Sequence, residues 1–181
     1  MSALYFDDEE EGLARETSHP FFVEHAVADF YYDVGDDFSP FGNDSGHDTL
    51  ASLEEWYQER TAGMRASTFL RNMITNDWGF DATYLDLTDL TELDLTSVDD
   101  ETFNGEIDKA VIATAFGQFK IAGQADKAIL QMAANAFRRQ RHEAEKARKR
   151  KDHPWAFADE FLARLDIMEA DLAIMASKKA R

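Results

Sequence analysis

The stretch IDKAVIATAFGQFKIAGQADKAILQMAANAF, residues 107–137, decides the fold class. Ile107, Ala110, Val111, Ala115, Phe116 and Phe119 recur at helical spacing, and the many alanines among them permit close contact with a neighbouring helix. Gly123 punctuates this run. A second periodic segment starts near Ala125 and carries Ile129, Met132, Ala133, Ala136 and Phe137 inward. The stretch therefore reads as two long helices in succession, and the rest of the chain has to pack around them.

On the C-terminal side the second helix loses its apolar content in RRQRHEAEKARKRK, residues 138–151, where eight Lys and Arg meet two Glu. Pro154 then restarts the chain into a final helix with Trp155, Phe161, Leu162, Leu165, Met168, Leu172 and Met175 on one face. On the N-terminal side Ser18 and Pro20 open a helix whose stripe is Phe22, Ala26 and Phe30, flanked by Val23 and Val27, and Gly35 ends it. Further helices are expected over 48–60, burying Leu50, Leu53 and Trp56 or Tyr57, and over 65–76, burying Phe69, Leu70, Met73 and Ile74. Between them and the decisive stretch lies YLDLTDLTELDLTSVDDET, with Asp-Leu-Thr at 86–88, 89–91 and 94–96. The leucine spacing matches part of a leucine-rich repeat, but one copy has no stacked neighbour to bury its face, so a short strand and turn are expected. The sum is a mainly α chain: a single helical domain over 18–181 with about six helices and a minor β element near 84–96, preceded by a weakly ordered acidic arm at 1–17.

Charge is divided by position. Residues 1–108 hold 27 Asp and Glu against 4 Lys and Arg, net −23, while residues 109–181 hold 9 against 15, net +6, giving the whole-chain −17. Such a field repels phosphate backbones and draws in cationic partners, and it says nothing about fold. Fourteen Phe, three Trp and five Tyr are too much aromatic surface for a solvated tail, so the acidic half also folds. With no Cys, disulfides and thiolate metal sites are excluded. No apolar run approaches a membrane span, and the cluster Asp7, Asp8, Glu9, Glu10, Glu11 is the opposite of a targeting signal, so a cytoplasmic protein is expected.

The loop DVGDDFSPFGNDSGH, residues 33–47, is the richest in candidate chemistry. Phe38 and Phe41 are expected to dock on the core as anchors, since two large rings in a polar turn stay dry only that way. Asp36, Asp37, Asn43, Asp44, His47 and Asp48 supply oxygen and imidazole groups suited to a divalent cation. Their spacing departs from the calcium-loop pattern, however, and capping of the next helix by Asp44 or Asp48 accounts for the same residues, so no metal is expected. The basic run 138–151 lacks interleaved aromatics and sits in a molecule that repels phosphate, so it reads as a solvated helix or one folded against the molecule's own acids, with no nucleic-acid contact. The five His are scattered, and neither a nucleophile elbow, a zinc-hydrolase motif nor a phosphate-binding glycine loop occurs, so no catalytic residue and no cofactor are expected.

Residues 18–59, SHPFFVEHAVADFYYDVGDDFSPFGNDSGHDTLASLEEWYQE, resemble the YfeS-like group of uncharacterised bacterial proteins. The core of this block, PFGNDSGHDTL, is also similar to the F-x-N-D-x-A-x-D motif of a larger bacterial domain family of unknown function, and residues 107–137 resemble the Ala-rich helix pair that follows it there. The chain departs from that motif within Ser45, Gly46 and His47, where the larger family has Ala. The resemblance implies a bacterial helical domain and carries over no catalytic residue.

The expected function is non-enzymatic binding of a basic protein, most specifically by an immunity protein that neutralises a basic toxin such as a nuclease. Asp36, Asp37, Asp99 and Asp100 are the candidate partner-binding carboxylates. A DNA-mimic inhibitor and a metal-dependent enzyme using the 36–48 loop are the rival readings.

Overall fold

From 110 to 123 every residue is buried, on all faces of one helix, so that helix is the centre about which the other elements are arranged. The computed structural model describes residues 3–92 and 101–179, the side chains of 101–104 excepted. Its α-helices are α1 (Pro20–His25), α2 (Asp44–Glu59), α3 (Ala66–Asn72), α4 (Glu101–Ala122), α5 (Lys127–Arg148) and α6 (Ala158–Lys179). The central α4 packs chiefly against α2 and α5, α5 packs against α6, and α1 lies across α4 and α6. At Gly117 a Cβ would stand 2.8 Å from Leu53 Cδ2, so the absence of a side chain lets α2 and α4 approach closely.

The chain is a mainly α single domain, and the described residues contain no strand. The expected β element is corrected. Residues 82–86 form a 3-10 turn, opened by Asp81 accepting from the Thr83 N–H at 2.9 Å, and its Tyr84 and Leu85 are buried against the core. An extended segment would have set alternate side chains on opposite faces, whereas the tight turn sends these two neighbours inward together. The third Asp-Leu-Thr triplet, at 94–96, lies outside the described residues, as do Asp99 and Asp100.

Two other expectations shift. The helix beginning at Pro20 ends at His25, and a 3-10 turn at Asp29–Tyr32 replaces its second half, leaving Val27 67% exposed. The break turns Tyr31 inward between Phe22 and Phe116, where its hydroxyl donates to Asp171 of α6 at 2.8 Å. The acidic arm is fastened to the body. Tyr5 N donates to Ile121 O at 3.0 Å, and the fully buried Lys120 ammonium reaches Asp7 at 2.7 Å, Glu54 at 3.0 Å and the Thr17 carbonyl at 3.4 Å. A lysine offers three donors, and all three are used.

Burial gives the loop anchor a measurable weight. Phe41→Ala should lower the unfolding free energy in urea by about 3–5 kcal/mol, because the ring is fully enclosed. A loss below about 0.5 kcal/mol would mean the cavity collapses without cost. Gly46→Ala should destabilise too, since the added Cβ would stand 2.1 Å from Pro40 O, while Gly105→Ala, whose nearest neighbour would be 4.0 Å away, should stabilise α4 by roughly 0.5–1 kcal/mol.

Candidate functional site

The loop ahead of α2 is knitted by its own polar groups. Asp36 accepts from Phe38 N at 2.9 Å, Ser39 Oγ from Gly42 N at 2.8 Å, and Asn43 Oδ1 from Gly46 N at 2.8 Å. Asn43 also donates to Ser39 O at 2.9 Å. The capping role expected of Asp44 or Asp48 therefore belongs to Asn43. Helix α2 begins at Asp44, earlier than expected, which leaves Asp44 exposed in the first turn and Asp48 exposed one turn further on. The larger family's alanine motif also meets its physical obstacle here, because Pro40 O occupies the space a Cβ at position 46 would need.

This rigid loop forms one wall of a cleft of about 500 Å³, bounded also by the start of α4, the C-terminal half of α5 and the approach to α6. Its aromatic lining is a trio. Phe38 meets Phe161 at 5.2 Å and Trp155 at 6.0 Å between ring centroids, and Trp155 meets Phe161 at 5.3 Å. Trp155 is delivered by the turn after α5, where His153 adopts a left-handed φ of 57° before Pro154 and Trp155 N donates to Ala147 O at 3.0 Å. Among the described residues, four carboxylates line the cleft, Asp37, Asp44, Glu106 and Glu143, together with two cations, Lys109 and Arg150. Glu106 takes the Lys109 ammonium at 3.0 Å and the Ser45 hydroxyl, and Glu143 takes Lys146 at 3.3 Å. Asp37 and Asp44 have no ion pair among the described residues.

The expected site residues thus divide. Asp37, Phe38 and Asp44 come together in the cleft, Phe41 goes to the core, and Asp36 turns away to Arg164 of α6 at 2.7 Å. His47 and Asp48 face solvent. Among the described residues no group of three or more His, Asp or Glu side chains is placed to hold a metal ion. Likewise, no described helix is long and apolar enough to cross a membrane.

Comparison with known proteins gives a sequence relative. The chain is 34% identical over 141 residues, 77% of its length, to the uncharacterised protein YfeS of Escherichia coli (strain K12). It belongs to the YfeS-like family. The match spans 57% of the length of YfeS itself. No family model matches the chain, and no solved structure matches it.

Within the basic run of this YfeS-like chain, one of whose two expected readings is folding against the molecule's own acids, Arg139 is the residue whose role sequence reasoning missed. Arg139 is buried, and its guanidinium makes a forked contact with Asp108 of α4, Nε at 2.9 Å and Nη2 at 2.7 Å from one carboxylate oxygen. The other oxygen accepts from Tyr84 at 3.1 Å and Gln140 at 3.2 Å, and Arg139 Nη1 donates to Leu87 O at 2.7 Å. Further along, Arg141 holds Asp166 at 2.5 Å and Glu169 at 2.8 Å, and Arg148 holds Asp159 at 3.0 Å. Instead of projecting, the run lies along α6 and pairs with its acids.

Burial pushes the Asp108 carboxyl up to about 6 from 3.8, against the pull of Arg139. A raised folded value means that this group's contribution to stability is fully present below about pH 4 and is lost as pH rises through about 6, a change of about 3 kcal/mol. Urea unfolding across that range should show wild type losing ground to Asp108→Asn as pH rises. A widening wild-type advantage would mean instead that the Arg139 pairing outweighs burial.

Proposed function

We propose that this chain is a non-enzymatic protein that binds a basic protein partner, in its specific form an immunity protein covering the phosphate-binding surface of a toxin such as a nuclease. The supporting observation is an asymmetry of pairing. Four cations of α5, Arg139, Arg141, Lys146 and Arg148, are matched by Asp108, Glu143, Glu145, Asp159, Asp166 and Glu169, so much of the positive charge on this helix is neutralised within the molecule. Along the exposed face of α2, by contrast, Asp44, Asp48, Glu55 and Glu59 have no ion pair among the described residues. Asp7 N donates to Glu54 at 3.1 Å, which sets the exposed turn Asp8, Glu9, Glu10 and Glu11 close to the same helix.

A negative face of this kind suits the positive cleft that any phosphate-binding toxin needs, and complementary fields raise the encounter rate and fix register. The DNA-mimic reading draws on the same acidity but needs regular carboxylates along an elongated face. The α2 row is interrupted at Ala51 and Ser52, which favours the protein-partner reading. The enzyme reading has less support, because the polar residues of 36–48 face different partners.

Affinity capture from cells that encode the chain, followed by binding kinetics across a salt series, tests the proposal. The recovered partner should be basic, with an on-rate that falls as salt rises. Glu55→Lys with Glu59→Lys should slow association by roughly tenfold while dissociation stays nearly constant. Recovery of no basic protein, together with turnover of a small molecule by the pure chain, would reject this reading in favour of an enzyme.

A further inference from the structure

The geometry points to the Phe38–Trp155–Phe161 cleft as the seat for an arginine side chain of the basic partner, with Asp37 and Asp44 as its carboxylate acceptors. This rests on the proposed function and names where on the molecule the partner is anchored. A volume of about 500 Å³ is far more than a surface dimple, and its lining combines apolar rings with a few polar groups, as binding clefts do. The three rings present both faces and edges within 6.0 Å of one another, and aromatic faces attract cations through the ring quadrupole. The same pairing is made within the fold, where Arg164 lies 4.0 Å over the Phe30 ring while its guanidinium holds Asp36.

Charge bookkeeping within the cleft selects the sign of the guest. Glu106 is matched by Lys109 and Glu143 by Lys146, so among the described residues the carboxylates left for a ligand are Asp37 and Asp44. Asp37 lies in the loop that the Asn43 and Ser39 hydrogen bonds hold in place, and Asp44 lies in the first turn of α2 that Asn43 caps, so both are set before a ligand arrives. A guanidinium suits this lining better than an ammonium, because its plane stacks on a ring while its edge donates to a carboxylate in a fixed fork. Lys109, although paired with Glu106, and Arg150 also line the cleft, so inorganic phosphate enters the test as a competitor.

The test titrates the full chain with short capped oligoarginine, oligolysine and oligocitrulline peptides at physiological salt, following the Trp155 indole N–H by NMR. Oligoarginine should shift that signal, bind more tightly than oligolysine and leave oligocitrulline without effect. Asp37→Asn with Asp44→Asn should weaken it by about tenfold or more, the value of one charge-assisted hydrogen bond. Trp155→Phe, which keeps a ring in the cleft, should weaken it less than Trp155→Ala.

Glu55→Gln with Glu59→Gln sets the acidic face against the cleft. Glu55 stands about 16 Å along α2 from Asp44, beyond the screening length of about 8 Å, so for a short peptide seated in the cleft this pair should cost less than the Asp37 and Asp44 pair. Equal losses from both carboxylate pairs would overturn the cleft seat while leaving the acidic-face reading intact. Equal binding of lysine and arginine peptides would overturn the guanidinium assignment. A Trp155 shift with phosphate and none with oligoarginine would make the cleft an anion site and reject the proposal. Should no cationic peptide bind, the seat is rejected, and the capture experiment separately decides whether a basic partner exists.

Discussion

A helix enclosed on every side still has to satisfy its buried polar side chains, and α4 meets that constraint chiefly by using them to hold neighbours. Asp108 takes Arg139 and Gln140 of α5 and the hydroxyl of Tyr84. Gln118 donates to Tyr57 of α2 at 3.1 Å and accepts from Asp126 N at 3.0 Å, and Asp126 in turn accepts from Ala66 N at the start of α3. Lys120 gathers the arm and α2. Thr114 turns to its own helix, donating to Ala110 O at 2.8 Å. An apolar helix of the same length would bury as much surface and would fix the orientation of its neighbours far less.

The buried ion pair carries a cost that its hydrogen bonds only partly offset. Removing both charges in favour of apolar residues of similar shape is often neutral or stabilising, whereas removing one is strongly destabilising. What the Asp108–Arg139 contact supplies is register: it fixes α5 against α4 and ties the 82–87 turn to both through the Leu87 carbonyl. The same helix α5 then spends its outer arginines on α6. Basic residues are thus consumed in holding the C-terminal half together, and the field of the N-terminal half is left to act outward. The cleft lies where the two halves meet.

The three long helices were readable because their apolar periodicity persists over many turns and needs no tertiary information. Helix α1 was misread in length, since Phe22, Ala26 and Phe30 continue a helical stripe that the inward turn of Tyr31 overrides. Phe38 and Phe41 were recognisable as anchors, but which of them is enclosed and which lines a cleft depends on Trp155 and Phe161, more than a hundred positions away. A signal for Arg139 was present and unused: Met132, Ala136, Arg139, Gln140 and Ala144 extend the buried stripe of α5 through the basic run. Asp108 and Lys120 likewise stood out as charged residues inside an otherwise apolar helix. Naming their partners required the packed structure, because the contacts join residues with no fixed spacing between them.

The docking of the arm onto Lys120 has a temporal side. Thr17 and Lys120, which meet at the arm's root, are 103 positions apart, so closing that loop carries a large entropy cost that only the assembled core offsets. As the chain emerges during synthesis, Asp7 and Glu54 lack the ammonium they hold in the folded state until residue 120 has been made. Through that interval the carboxylates of the arm repel one another, and like charge of this kind opposes association between exposed chains. The lysine therefore acts as a late latch, closing over residues made 103 positions before it.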